Sequence, residues 1–273
     1  MGVDEGAVST AEDMIRIAMA MPDALRSDDA GISSTTTSWL INIFIKMQKR
    51  LICVGLYPLG ANDVPMARKG ILISVEGIDG TGKTTQVRLL MERLDKLGID
   101  AVALKEPTQG RYGEEIARLA SSGGLEDPRR ELELFMLDRM EDVRENILPA
   151  LEAGKVVIMD RYYQSNIAYQ GARGLDPAKI KEENEKFSPV PDLIIILDVD
   201  PGIGMARVSS RRDVVGHFEN EAYLRKVREL FLRIGESPNA VVIDASAPVE
   251  EVHRRIVEAI EKKLGGRLRQ VYH

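Results

Sequence analysis

Residues 71–97 read ILISVEGIDGTGKTTQVRLLMERLDKL, an apolar run, a glycine-bearing loop and an amphipathic run in immediate succession. The loop, Gly77 to Thr84, matches G-x-x-x-x-G-K-[ST]. Two fixed glycines, a lysine and a Ser/Thr coincide by chance at roughly one position in 30,000 on ordinary residue frequencies. The setting narrows it further. Val, Ile and Leu dominate the stretch before it, as in a buried strand, while Val87, Leu90, Met91, Leu94 and Leu97 after it recur at three- and four-residue steps, as on a helix closed by Gly98. A strand, this loop and a helix make an anion cradle. The glycines let backbone N–H groups turn inward, the helix N-terminus adds partial positive charge, Lys83 reaches the β- and γ-phosphates, and the Thr84 hydroxyl can ligate Mg²⁺. The expected ligand is a nucleoside triphosphate.

The rest of the chain repeats this alternation. ILISVE (71–76), AVALKE (101–106), KVVIMD (155–160), LIIILDV (193–199) and AVVIDA (240–245) read as strands buried on both faces. Helical patterns fill 84–97 and about 128–153, 219–234 and 248–264. Alternation of this kind predicts an α/β fold with a five-stranded parallel sheet and helices on both faces. Residues 1–65 read differently, with Ser/Thr runs, one apolar patch and no sustained period. The expected division is a poorly organised extension over 1–65 and a domain over 66–273. The extension is either genuine or the product of an upstream start codon, since MARKGILISVEG from Met66 reads like a domain opening.

Composition excludes some function classes. The net charge of −6, from 37 Lys and Arg against 43 Asp and Glu, argues against a general nucleic-acid binder. The one cysteine, Cys53, rules out an intrachain disulfide. No secretory signal opens the chain, and Lys46, Lys49 and Arg50 interrupt the apolar stretch 38–60, so an interfacial helix fits it better than a span. The expectation is a cytoplasmic protein with no membrane partner. No guanine-reading Asn-Lys-x-Asp occurs, which argues against a GTPase.

Three clusters point to a second ligand. Asp79, inside the loop, would be repelled by phosphates; it faces a second ligand's hydroxyl or Mg²⁺, or else caps a helix. Arg139 lies within the apolar stripe Leu132, Phe135, Met136, Met140, Val143 and Ile147. A charge there needs a partner. Phe135 and Arg139, one turn apart, can stack a planar base and bond its edge, unless Arg139 serves a buried acid such as Asp138 or Asp142. DRYYQSNIAYQG (160–171) opens at a strand end, where α/β sheets place ligand chemistry. Asp160 suits Mg²⁺, Arg161 an acceptor phosphate, and Tyr169 one side of a sugar. Asn166 suits a base edge or a helix cap. Tyr162 and Tyr163 read as scaffold. Arg207, Arg211 and Arg212, near a chain reversal after DVDPGIG, suit a lid over a transferring phosphate or a solvated helix face.

Taken together, EGIDGTGKTTQ, KEPT, LFMLDR, DRYYQSNIAYQGA, DVDP, the arginine-bearing segment, HFE and VVIDAS resemble, in order, the motifs of thymidylate (dTMP) kinases within the P-loop nucleoside-monophosphate kinases. The resemblance covers about 70–264. It implies the P-loop fold with a short lid, and phosphorylation of dTMP by ATP with Mg²⁺ in a homodimer. It places Gly77, Ile78, Asp79, Gly80, Thr81, Gly82, Lys83, Thr84 and Thr85 around ATP, with Arg207 and Ser246 flanking the adenine. Asp79, Glu106, Phe135, Arg139, Arg161, Asn166 and Tyr169 would bind the acceptor, with Tyr169 crowding the 2′ position. Thr84, Asp160 and Glu219 would lie at the metal, and Lys83, Arg161, Asp79 and Arg211 or Arg212 would act in transfer. Two positions depart from the pattern. Lys105 stands where the family usually has Arg, a charge Arg111 could supply, and Thr81 stands where some members carry a basic residue, which leaves the catalytic arginine to the lid. Two other readings remain: a kinase for another pyrimidine nucleotide such as dUMP or UMP, and a non-catalytic nucleotide-binding protein.

Overall fold

The computed structural model describes residues 70–122, 127–209 and 221–271. The extension 1–65, Cys53 and the apolar stretch 38–60 lie outside them, as do Arg211, Arg212 and Glu219. Five strands form one sheet: β1 (Ile71–Glu76), β2 (Ala101–Lys105), β3 (Val156–Asp160), β4 (Leu193–Asp198) and β5 (Ala240–Asp244). All pairings are parallel, in the order β2-β3-β1-β4-β5, so the strand feeding the phosphate loop is central. The five apolar runs are thus strands, within a residue of the expected ends.

Helices follow the strands as α1 (Lys83–Lys96), α2 (Arg111–Ser121), α3 (Pro128–Asp142), α4 (Leu148–Glu152), α5 (Tyr163–Ala172), α6 (Pro177–Glu185), α7 (Pro201–Ser209), α8 (Glu221–Ile234) and α9 (Val249–Val271). A π turn, Val143–Ile147, joins α3 to α4 within the expected 128–153 segment. Local chemistry sets several starts. Asp127 and Asp176 each accept a backbone N–H two residues on, at 2.8 and 2.9 Å, and each precedes a proline at the first helical position. DVDPGIG is not a turn throughout: from Pro201 it is the first turn of α7, with Arg207 in the last.

The side-chain period of the strands divides the core. Ile71, Ile73 and Val75 join Val87, Leu90 and Leu94 of α1 and Val252, Ile256 and Ile260 of α9 on one face. Leu72, Val157 and Met159 meet Leu132, Ile147 and Leu151 on the other, while Ile194 and Ile196 pack on Leu224, Val227 and Phe231 of α8. Tyr162 and Tyr163 are buried in the second of these groups with ring centroids 5.0 Å apart, so both are scaffold. Among the described residues no helix is long and apolar enough to cross a membrane.

Candidate active site

The sequence-selected residues that are described cluster at the carboxyl ends of the strands, where an open parallel sheet presents its crevice. Between β1 and α1 the loop takes the conformation its glycines permit: φ is 139° at Gly77, 83° at Gly80 and 90° at Gly82. A Cβ at Gly77 would lie 2.4 Å from the Leu197 carbonyl oxygen, whereas at Gly82 it would meet nothing within 4 Å. The loop is therefore clamped on β4 at one end and open at the other. Lys83, 6% exposed, donates from Nζ to the carbonyls of Gly77 (3.0 Å) and Ile78 (2.9 Å), curling back over the loop. Burial, then the neighbouring Arg161 cation, bring its amine down to about 7. A bound polyphosphate would reverse that balance.

Asp79 is not the N-cap residue of α1, a position that Gly82 holds. Its carboxylate is 60% exposed, accepts a hydrogen bond from Arg161 Nη2 at 2.5 Å, and lies 3.9 Å from Lys83 Nζ. That places it at the mouth of the loop, beside both cations. Asp160 ends β3 and accepts from the Thr84 hydroxyl at 2.5 Å, so the two expected metal-side oxygens meet. Arg161 is the only described non-glycine residue at positive φ, 73°. Its Nη1 reaches Ser165 Oγ at 3.2 Å, its Nη2 reaches the Tyr169 hydroxyl at 3.4 Å, and its Cζ stands 5.2 Å from the Tyr169 ring centroid.

Deeper in the cleft, Arg139 does serve a buried acid, though not Asp138 or Asp142. Its partner is Glu106, which follows β2 and precedes a cis bond to Pro107. Arg139 Nε donates to Glu106 Oε2 at 2.8 Å, and Nη2 closes the pair. Burial pushes the Glu106 carboxyl up to about 8 against the pull of that guanidinium. Asn166 caps nothing; its Oδ1 accepts from Arg139 Nη1 at 2.7 Å and its Nδ2 donates to Gln170 Oε1 at 3.0 Å. Phe135, one turn before Arg139, is half-buried. Asp138 accepts from the Thr108 amide (2.8 Å) and hydroxyl (2.6 Å), which ties α3 to the segment after β2. Lys105 is exposed, and Arg111 pairs with Glu141 over the Tyr112 ring.

On the other side of the loop, Arg207 donates to the carbonyls of Ala245 (2.9 Å) and Ser246 (3.3 Å), so those two expected flanking residues are also brought together.

Among family models, that of "Thymidylate kinase" matches residues 75–256. A "Probable thymidylate kinase" of Archaeoglobus fulgidus is 50% identical over 194 residues, 71% of this chain and 96% of the relative. A "Thymidylate kinase" of Xanthomonas euvesicatoria is 42% identical over 201 residues, 72% of this chain and 88% of the relative. The chain belongs to the thymidylate kinase family.

The cleft has two halves, the phosphate loop and the Arg139 cluster, and the contact between Asp79 and Arg161 ties the loop to the segment after β3. Two residues within them escaped sequence reading. Glu76, the last residue of β1, is fully buried and accepts from the Tyr162 amide (2.8 Å) and the Ser165 hydroxyl (2.7 Å), just after Arg161. An acid at the end of a buried, largely apolar run was the available signal, since such a charge needs partners. Asn184 of α6, 0% exposed, accepts from Arg139 Nη1 at 2.5 Å. Nothing in PAKIKEENE marks it.

Proposed function

We propose that this thymidylate kinase family member transfers the γ-phosphoryl group of ATP to dTMP, giving ADP and dTDP for dTTP synthesis. The observation that carries the reading is the Arg161–Asp79 contact. It puts the cation of the acceptor side against the phosphate loop, where a donor and an acceptor phosphate would meet. An acceptor phosphate is already anionic near neutral pH, so the protein has no strong base to provide. What it contributes is alignment and charge. Lys83 and the loop amides hold the donor phosphates, and Arg161 holds the acceptor phosphate. Asp79 takes a sugar hydroxyl. Phe135 stacks the base while Arg139 and Asn166 read its edge, and Tyr169 crowds the 2′ position of the sugar. Arg207 and Ser246 flank the adenine, and Arg211, Arg212 and Glu219 act from the segment between α7 and α8.

Thr84 Oγ1 and Asp160 Oδ2, 2.5 Å apart, suit Mg²⁺, which takes one or two protein oxygens and fills the remaining positions with phosphate and water. Bound there, it would neutralise charge on the β- and γ-phosphates. We place the enzyme in the cytoplasm as a homodimer, with residues 66–273 as its catalytic domain. ADP release measured from ATP with dTMP, dUMP, UMP, CMP and AMP tests the assignment. The expected order has dTMP first; dTMP and dUMP no better than CMP or AMP would overturn it.

A further inference from the structure

A guanidinium has five N–H groups and no acceptor. In Arg139, which is 1% exposed, the destination of nearly all of them is visible. Nε–H goes to Glu106, 2.8 Å from Oε2 and 3.1 Å from Oε1. One N–H of Nη2 goes to the same carboxylate. Both N–H groups of Nη1 are taken, by Asn166 Oδ1 at 2.7 Å and Asn184 Oδ1 at 2.5 Å. Four of the five are held by protein, and one, on Nη2, remains to be offered elsewhere.

Asn184 differs from the other partners. Glu106 and Asn166 stand on segments that end at the cleft, whereas Asn184 lies on α6 behind them. Its own Nδ2 donates to the Ile180 carbonyl at 2.8 Å. That bond decides which way its amide points. With Nδ2 committed to a carbonyl, Oδ1 is the atom that faces Arg139; reversed, the amide would set N–H against N–H. Buried, orphaned polar atoms are costly, so the geometry is held from both sides.

We propose that Asn184 is a positioning residue for acceptor-base selectivity. By occupying the second N–H of Nη1, it leaves Arg139 with a single donor of fixed direction, on Nη2. One fixed N–H accepts a pyrimidine whose facing edge presents a carbonyl oxygen, and rejects one presenting an amino group there. Without Asn184, Nη1 regains a free N–H, the guanidinium is held on one side only, and the discrimination falls. This rests on the reading of Arg139 as the residue that faces the base.

The test is the ratio of kcat/KM for dTMP to that for dCMP, whose ring carries an amino group in place of a carbonyl, in wild type, Asn184→Leu, Asn184→Ala and Arg139→Lys. The expected result is a fall in the ratio of about tenfold or more in either Asn184 variant, with KM for ATP within about twofold of wild type. The alanine variant serves if the leucine variant does not fold. A purely structural residue would lower the thermal midpoint and slow both substrates together. An unchanged ratio in the Asn184 variants, with a collapsed one in Arg139→Lys, overturns the inference alone. An unchanged ratio in Arg139→Lys overturns the reading beneath it.

Discussion

Glu76 holds a turn that its neighbour would not adopt unaided. Arg161 sits in the left-handed region, which costs a non-glycine residue about 1–2 kcal/mol. The residues on either side of that bend are pinned, by the Arg161 amide to Val75 O at 3.1 Å and by the Tyr162 amide and Ser165 hydroxyl to the Glu76 carboxylate. Burial drives the Glu76 pKa from 4.5 up to about 7, against the hydrogen bond from Ser165 and the charge of Arg161. The raised value has a definite consequence for stability. Below 4.5 the group is protonated folded or unfolded. Between 4.5 and 7 the folded state binds the extra proton, so stability declines as pH rises, and above 7 the full cost of a buried charge remains. Glu76→Gln removes this titration. Relative to wild type, the variant is expected to gain up to about 3 kcal/mol between pH 5 and pH 8, read from urea unfolding at both values. A gap that does not move with pH would mean that Glu76 keeps its charge throughout. At this scale the sequence was legible where a residue type is rare in its setting, as with Arg139 on an apolar stripe or Lys83 in its motif. It was not legible for Asn184, because an amide on a polar helix surface and one buried behind an arginine look alike until the helix is placed.

Among the elements, strands were easier to read than helices. A strand buried on both faces must be continuously apolar, so β1, β3 and β4 announce themselves. Helices α2, α6 and α7 escaped because little of each is buried: Gly113 in α2, Ile180 and Asn184 in α6, Pro201 and Gly204 in α7. Helix α5 escaped for a different reason, since its buried residues include the polar Gln164, Asn166 and Gln170 and so make no apolar stripe. In α7 the glycines also disguise the helix as a turn, yet they are what the packing uses. A Cβ on Gly80 would fall 2.2 Å from the Gly204 carbonyl oxygen, and one on Gly204 would fall 2.7 Å from the Asp79 carbonyl oxygen. Helix and phosphate loop therefore touch backbone to backbone, and α7 carries Arg207 across to Ala245. Gly204→Ala should keep α7, since alanine favours helix over glycine by about 1 kcal/mol. It must nevertheless displace either the helix or the loop. A shift near 1 Å can cost about 10²-fold in rate, so kcat is expected to drop at least tenfold with the thermal midpoint little changed. Wild-type kcat in a folded Gly204→Ala enzyme would show that this contact does not set the loop's position.

At the scale of the whole molecule, the alternating pattern predicts a parallel sheet but cannot rank its strands. The order β2-β3-β1-β4-β5 depends on crossovers that no local period encodes. That order puts β1 between β3 and β4, so Glu76, Asp160 and Asp198 end adjacent strands and the loop after β1 lies over the middle of the sheet. It also shows where the catalytic unit can be trimmed. β1 is hydrogen-bonded on both sides from its first residues, with the Ile71 amide to Lys155 O at 3.1 Å and the Leu72 amide to Asp192 Oδ2 at 2.8 Å. Just before it, the Gly70 amide bonds to Leu151 O at 2.9 Å and its carbonyl accepts from Arg267 at 3.2 Å. A Cβ at Gly70 would fall 2.4 Å from the Lys155 carbonyl oxygen, so the chain is seated tightly against the sheet at this point. A protein beginning at Met66 retains all of these contacts and four residues of lead-in. It is expected to phosphorylate dTMP with kcat/KM within about twofold of the full chain and to melt within a few degrees of it, since the bonds that seat Gly70 and the start of the central strand β1 are kept. A loss beyond tenfold in kcat/KM would assign residues 1–65 a part in catalysis, and a large fall in melting temperature at unchanged kcat/KM would assign them a part in stability alone.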